Sequence, residues 1–405
     1  MGSAETAGMN TSTQSNAGTA QRSTVKPLEG LVVVTLEQAL AAPLATSRLA
    51  DMGARVIKVE RAEGDFARGY DGAANGEASY FVWTNRGKES IVLDFKQEGD
   101  RRVLDALLAK ADVFVQNLAP GALARVGLDS DTLRAAHPRL ITCDISGYGT
   151  GNAASNLKAY DMLVQCETGL AGITGVPEAC GRIGVSICDI GAGLNATIGI
   201  LSAIAQRERT GKGCGVAVSL FDGAADWMTV PYVHEVYGNG APTRQGLQHP
   251  SIAPYAAYET NDGASVVISI QNEREWANFC LHFLGQPALA QDERFCSNNV
   301  RVQNKDELNK LIGQAFARKN LAQATSALEK ANTAYGQVRT VREMSSHPAL
   351  RKWPMAVNGK DLDLIAPPVQ TPWDEGRFTP SPKLNQHGAA VRAEFAIEVG
   401  NEVTA

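Results

Sequence analysis

The stretch G-L-V-V-V-T-L-E-Q-A-L-A-A-P-L-A-T-S-R-L-A-D-M-G-A-R-V-I-K-V-E-R, Gly30 to Arg61, decides the fold. Leu31 to Leu36 is a β-branched apolar run that reads as a strand, Pro43 to Met52 reads as a short helix stopped by Gly53, and Arg55 to Glu60 reads as a second strand. Together they make one βαβ unit. Outward from it, Ser90 to Phe95 predicts a third strand, and Asp100 to Lys110 a helix with Val103, Leu104, Leu107 and Leu108 on one side. Strands over Val113 to Asn117 and Leu140 to Ser146 follow. Strands alternating with helices at this spacing imply an α/β fold with a large, doubly wound, Rossmann-like parallel sheet, whose ligands collect at the carboxyl ends of the strands. Arg61, Asn117, Ser146 and Asp189 fall at such ends.

The chain has 405 residues, of which 44% are hydrophobic and 20% charged, enough for two domains and a large core. A net charge of −5 offers no bulk attraction to nucleic acid or an anionic membrane, so a polyanionic ligand must be met by a local basic cluster. The seven cysteines are odd in number and lack C-x-x-C spacing, which suits buried thiols in a reducing cytoplasm better than a disulfide framework. The six histidines show no metal-ligand spacing, so no metal is expected. Residues 1–25 lack the apolar core of a signal peptide and read as a disordered tail. The weakly polar run Gly191 to Ala205 reads as too short, and too interrupted by Asn195, Thr197 and Ser202, to cross a bilayer, which takes about 20 residues.

The predicted organisation is a large domain over 26–225, a linker over 226–250, a smaller α+β domain over 251–333, and a return segment over 334–405 that completes the large domain. The linker is marked by the glycine- and proline-containing run Tyr237 to Pro250. Pro254 to Glu259 and Ser265 to Ile270, separated by Asn261-Asp262-Gly263, predict a hairpin. Helices are expected over Glu273 to Phe283 and from Lys305, where Asn304 and Glu307 stand at capping-box spacing and Leu308, Leu311, Ile312 and Phe316 share a face. The last 70 residues carry several prolines and fit a segment returning across the first domain.

V-S-I-C-D-I-G-A-G-L-N-A-T-I-G, Val185 to Gly199, reads as a short strand running through glycines into a helix, with Asp189 at the junction. An acid there meets free backbone N–H groups and the positive helix end, which would hold it ionised and close to oxyanion donors. The bland alternative is a helix N-cap. G-A-G-L-N-A, Gly191 to Ala196, also satisfies a dinucleotide fingerprint, but far from the first βαβ unit, and its glycines read better as close helix-to-sheet packing.

Several ordered stretches resemble the family III CoA-transferases, among them formyl-CoA transferase and the succinyl-CoA-dependent dicarboxylate and carnitine enzymes. They are K-P-L-E-G-L from Lys26, A-D-M-G-A-R-V-I-K-V-E-R from Ala50, N-R-G-K-E-S-I-V-L-D-F-K from Asn85 and A-D-V-F-V-Q-N-L-A-P-G-A-L-A-R-V-G from Ala111. I-S-G-Y-G from Ile145, A-Y-D-M-L-V-Q from Ala159 and R-T-G-K-G-C-G-V-A-V-S-L-F-D from Arg209 continue the match. The resemblance implies that Asp189 attacks a donor thioester and passes through a mixed anhydride to an aspartyl-CoA thioester, with Tyr160 and Asp161 as neighbouring positioners. CoA, with about four negative charges, is then a substrate rather than a tightly bound cofactor. By the same resemblance Arg61, Lys96, Arg125 and Lys158 match CoA-contacting positions, with Leu40, Ala41, Leu93, Asn117 and Leu118 along the nucleotide and pantetheine.

Two departures from the family pattern bear on substrate. Leu40 stands where some members carry a supporting glutamine, and the flap of formyl-CoA transferase is reduced here to G-N-G-A-P-T-R-Q-G. Both point away from formate and oxalate and toward a C4 to C6 dicarboxylate, with Arg244 or His249 meeting its distal carboxylate. The resemblance also implies an interlocked homodimer. Two rival readings share the fold: a non-catalytic CoA-binding subunit, and an α-methylacyl-CoA racemase. The racemases pair the acid with a histidine before a second acid, where this chain has Tyr160-Asp161, and a phenol with pKa about 10 is a poor base at neutral pH.

Overall fold

β1 (Val32–Leu36), α1 (Ala41–Asp51) and β2 (Arg55–Glu60) form the expected unit, with β1 and β2 parallel. The structure, a computed structural model, describes residues 25–401 and the side chains of residues 25–395. Apart from Val25, the tail expected over 1–25 lies outside the described residues. The chain continues through α2 (Ser79–Thr84), β3 (Lys88–Val92), α3 (Glu98–Lys110), β4 (Val113–Gln116), α4 (Ser130–Ala136) and β5 (Ile141–Ser146). Next come α5 (Asp161–Glu167), one turn of α6 (Leu170–Ile173) and the small hairpin β6 (Gly175–Val176) and β7 (Ala179–Cys180). α7 (Ile187–Thr210), β8 (Gly215–Ser219), α8 (Leu220–Trp227) and α9 (Thr229–Tyr237) complete this part. The six-stranded sheet has the order β3-β2-β1-β4-β5-β8 with every pair parallel. Chain direction across it reverses between β1 and β4, which makes that crevice the switch point where doubly wound sheets bind ligands.

The sheet lies between two apolar layers. On one face α1 and α7 bury Ala41, Ala45, Leu49, Cys188, Ala192, Ala196 and Ile200 against Val33, Val115 and Cys143. On the other, Leu104, Leu107 and Leu108 of α3 join Val34, Ile57 and Phe114. That fits the single apolar side expected for α3.

The strand expected at Val185 does not form. β5 pairs directly with β8, leaving no gap in the sheet, and α7 starts at Ile187. Val185 to Ile187 is drawn into the helix start because buried side chains of α5 take the free N–H groups on either side of it. α7 also runs past the window read as too short for a bilayer. At 24 residues it is long and apolar enough to span one by length and composition, with 44% of its most apolar window buried in the fold. Its glycines serve contact, though mostly with helices: a Cβ on Gly191 would meet the Trp227 indole at 2.4 Å, and one on Gly193 the Ala41 carbonyl oxygen at 2.7 Å. Of these three only Gly199 faces the sheet, where a Cβ would meet Val216 at 2.6 Å.

Part of the expected linker is helical, since α9 occupies Thr229 to Tyr237. β9 (Tyr255–Glu259) and β10 (Ser265–Ser269) then form the predicted antiparallel hairpin, followed by α10 (Glu273–Phe279), α11 (Asn298–Gln303), α12 (Lys305–Phe316) and α13 (Leu321–Lys330). These enclose a second core around Trp276, Phe279, Leu308, Ile312 and Phe316. Asn304 and Glu307 do not make a capping box. Asn304 ends α11, its N–H bonding the Val300 carbonyl at 3.0 Å, while Glu307 pairs with Arg294. The box instead starts α13, at Asn320 and Gln323.

After β11 (Ala334–Gln337) and one turn of α14 (Val341–Met344), the hairpin β12 (Lys352–Val357) and β13 (Lys360–Ile365) leads to α15 (Gly388–Asn401), which returns to α3 and β3. His387 covers the β3 edge, donating its N–H to the Ser90 carbonyl at 3.0 Å and accepting the Ser90 N–H on Nδ1 at 3.1 Å. Arg55 pairs with Glu394 at 2.6 Å, and Arg392 with Asp100 at 2.6 Å.

Candidate active site

α7 begins without a side-chain cap of its own, since Ser186 makes no such bond. The first N–H groups of any helix lack intrahelical acceptors, and here one is met from outside. Asp161, at the start of α5 and only 8% exposed, accepts the Cys188 N–H at 2.8 Å and the Gln165 amide at 2.8 Å. Gln165 in turn accepts the Ile183 N–H at 2.9 Å. One turn of α5 therefore fixes the start of α7, bonding it at Cys188, one residue before Asp189.

Asp189 is half-buried in the first turn of α7. The helix end alone would favour its charge by about 1 kcal/mol. Burial and then the Asp161 carboxylate outweigh that and push its pKa up to about 7. The expectation that it is held ionised is thus reversed. A desolvated, more basic carboxylate is the better nucleophile once it has lost its proton. Its neighbour Cys188 does not compete, because burial, Asp161 and Asp189 push that thiol up to about 12.

Opposite stands the start of α1. Leu40, the residue before it, supplies no side-chain cap, and the N–H groups of Ala41 and Ala42 make no hydrogen bond among the described residues although both residues are buried. Buried backbone donors without partners are uncommon, and a pair at a helix N-terminus is suited to an anionic oxygen. The Ala41 carbonyl packs on Gly193, one helical turn along α7 from Asp189. The first residue of α1 thus packs on α7 one turn beyond Asp189, close to the β1/β4 switch point of the sheet.

Aromatic side chains missed in the sequence form one wall. Tyr70 packs edge-on against Tyr80 at 5.8 Å and tilted against Phe66 at 5.8 Å, and the Tyr80 hydroxyl lies 3.5 Å from the Ser186 hydroxyl. Burial, then the charges of Asp65, Asp189, Tyr160 and Tyr80, push the Tyr70 phenol up to about 12, so it stays a neutral donor beside the acid. Phe66 and Tyr70 stay partly exposed, as does Tyr160, the residue before Asp161. The one sequence signal for Tyr70 was its place in A-R-G-Y-D-G, a glycine-flanked aromatic soon after the end of a strand.

The four expected phosphate-binding bases occupy successive loops at the carboxyl edge of the sheet: Arg61 after β2, Lys96 after β3, Arg125 after β4 and Lys158 after β5, all exposed. Arg61 also bonds the Gly64 carbonyl at 3.1 Å. Leu118 is half-buried beside them, whereas Leu93 is buried in the core under α3. Asn117 is occupied as a strut, its amide accepting the Gln38 N–H and donating to the Gln38 carbonyl, each at 2.9 Å. It bears on the crevice through the turn it holds. Arg244 is anchored on its own side of the loop: its guanidinium donates to the carbonyls of Gly172, Val176 and Pro177, which leaves two of its five N–H groups for another acceptor. His249 stacks on Tyr255 at 5.3 Å and accepts the Ser251 N–H on Nδ1.

A family description, "CoA-transferase family III", matches residues 28–388. The chain belongs to that family. This family III CoA-transferase is 35% identical to the acetyl-CoA:oxalate CoA-transferase of Acetobacter aceti, over 91% of this chain and 96% of the relative. It is 33% identical to the succinate–glutarate CoA-transferase of Agrobacterium fabrum over the same shares. Among solved structures, a CAIB/BAIF family protein from Brucella suis superposes with a TM-score of 0.79 at 34% identity, covering 91% of this chain and 99% of that one. The transferase is therefore an enzyme with an α/β fold built on a large parallel sheet.

Proposed function

We propose that this enzyme moves CoA from a short acyl-CoA donor, of the acetyl- or succinyl-CoA type, to a small dicarboxylate, with Asp189 acylated on the way. The observation that carries the reading is a half-buried carboxyl, pushed up to about 7, on a helix that packs against the start of α1, where two N–H groups have no partner among the described residues. The Asp189 carboxylate attacks the thioester carbonyl, and the tetrahedral oxyanion is met by the Ala41 and Ala42 N–H groups before the CoA thiolate leaves. The thiolate then attacks the aspartyl carbonyl of the mixed anhydride and expels the donor acid, leaving an aspartyl-CoA thioester. The acceptor carboxylate reverses both steps. CoA is a substrate throughout, held by the bases on the strand-end loops.

The names of the two relatives support a dicarboxylate acceptor, but one of them uses oxalate, so the acceptor panel must include C2 as well as C4 to C6 acids. An interlocked homodimer is supported by a run of exposed apolar side chains along α7 to α9, among them Ile198, Trp227, Val230, Val233 and Tyr237. Seven free cysteines suit a reducing, cytoplasmic setting. The test is to mix the enzyme with acetyl-CoA or succinyl-CoA and diacids from oxalate to adipate, and to detect new thioesters by mass. Transfer to at least one diacid is expected; hydrolysis alone would overturn the reading.

A further inference from the structure

Beneath the β1–α1 turn lie four fully buried charges. Lys88 bonds Glu37 at 2.5 Å and the Pro43 carbonyl at 3.0 Å, and Lys58 bonds Asp65 at 2.7 Å and lies 3.5 Å from Glu37. The Asn85 amide oxygen accepts from both ammoniums, at 2.9 and 3.2 Å. Glu37 also accepts the hydroxyls of Thr35 and Thr46, and Asp65 accepts the N–H of Ala39 at 3.1 Å. The quartet therefore holds the turn at residues 37, 39, 43 and 46, on both sides of Leu40 and Ala41.

The turn needs holding. Ala39 has φ +65, a left-handed conformation that L-residues with a Cβ avoid, and it persists only where surroundings over-determine it. Buried ion pairs contribute little net stability, because desolvation offsets their attraction. Burial pushes the Lys88 ammonium down even beside Glu37, whereas Lys88 and Lys58 hold the Glu37 carboxyl below its usual range against the same burial. Such a group is poorly explained as a source of stability. It is well explained by geometry, since the outer side of the same turn carries the Ala41 and Ala42 N–H groups and packs on Gly193.

We infer that Lys88, with Glu37, Lys58 and Asp65, is a positioning element for CoA transfer, fixing the turn so that the α1 donors meet the oxyanion formed at Asp189. This rests on the reading of Asp189 as the acylated residue. The test compares wild type, Lys88→Met, and a doubly neutral Glu37→Gln/Lys88→Met variant that leaves no unpaired charge from this pair. Three quantities are measured for each: free-CoA affinity by calorimetry, rate of label transfer from acetyl-CoA to the Asp189 peptide, and kcat for CoA exchange. Expected are folded variants with CoA affinity within about three-fold of wild type, while labelling and kcat fall at least about ten-fold, the scale of a misplaced reacting group. Labelling and kcat within two-fold of wild type in a folded variant would overturn the inference. So would a parallel loss of CoA affinity, or failure of the doubly neutral variant to fold, either of which makes the quartet a general stability element. Absence of label in wild type strikes the Asp189 reading instead, and kcat then still reports on the quartet.

Discussion

Asp189→Asn is expected to stabilise the folded protein at pH 8, to do so much less at pH 4.5, and to do nothing for it below about pH 3. The carboxyl rises from 3.8 to about 7 on folding, because burial and then Asp161 disfavour its charge. Between those values the folded state binds more protons than the unfolded chain, so this group makes stability fall as pH rises through the window. Its contribution is fully present below the unfolded pKa and is lost once pH passes the folded one. A rise of this size corresponds to at most about 4 kcal/mol, and partial solvent access to a half-buried group brings this nearer 2 kcal/mol. Asparagine carries no charge at any pH and escapes the penalty. Urea unfolding of both proteins at several pH values between about 4.5 and 8 should show a stability difference that opens with pH and levels off above about 7.5. A difference that is independent of pH, or a wild type more stable than the variant at pH 8, would refute the electrostatic account of Asp189.

The same pKa predicts that kcat/KM for the acyl-CoA donor rises about ten-fold from pH 6 to pH 8 in wild type, as the attacking carboxylate ionises. Asp161→Asn keeps an oxygen for the Cys188 N–H but removes the like charge, so the acid limb of that profile should move to lower pH; an unmoved limb would show that burial alone sets it. Arg61→Ala should raise KM for the donor by about ten-fold at low salt with kcat nearly unchanged, and the gap should shrink at high salt; an unchanged KM would remove Arg61 from the phosphate site.

The sheet was legible because its signal is local: apolar runs such as Leu31 to Leu36 and Val113 to Asn117 are bounded by turns and separated by one-sided helices such as α3. Where distant residues intervene, the local signal misleads. Val185 to Ile187 has the composition of a strand, yet Asp161 and Gln165, on a helix earlier in the chain, draw it into a helix start. The capping-box spacing at Asn304 is likewise overridden by the end of α11. Asp189 itself could be picked out by its place before a glycine-rich helix, but its charge state could not, because that depends on Asp161 and on burial. Arg244 reads as an unattached base in a polar loop, and its anchoring by three carbonyls from residues 172 to 177 is a long-range contact that no local pattern shows. The buried quartet was hidden because Lys58 and Lys88 occupy strands whose sequence reads as ordinary alternation, and nothing local says that Glu37 and Asp65 converge on them.

The most direct measurement is peptide mass spectrometry of the enzyme after brief incubation with acetyl-CoA or succinyl-CoA, with hydroxylamine added to trap activated carboxyls. The account predicts a hydroxamate, or CoA itself before trapping, on the peptide holding Asp189, and none in Asp189→Asn. Turnover with every carboxyl unmodified, or label on a different acid, would contradict it.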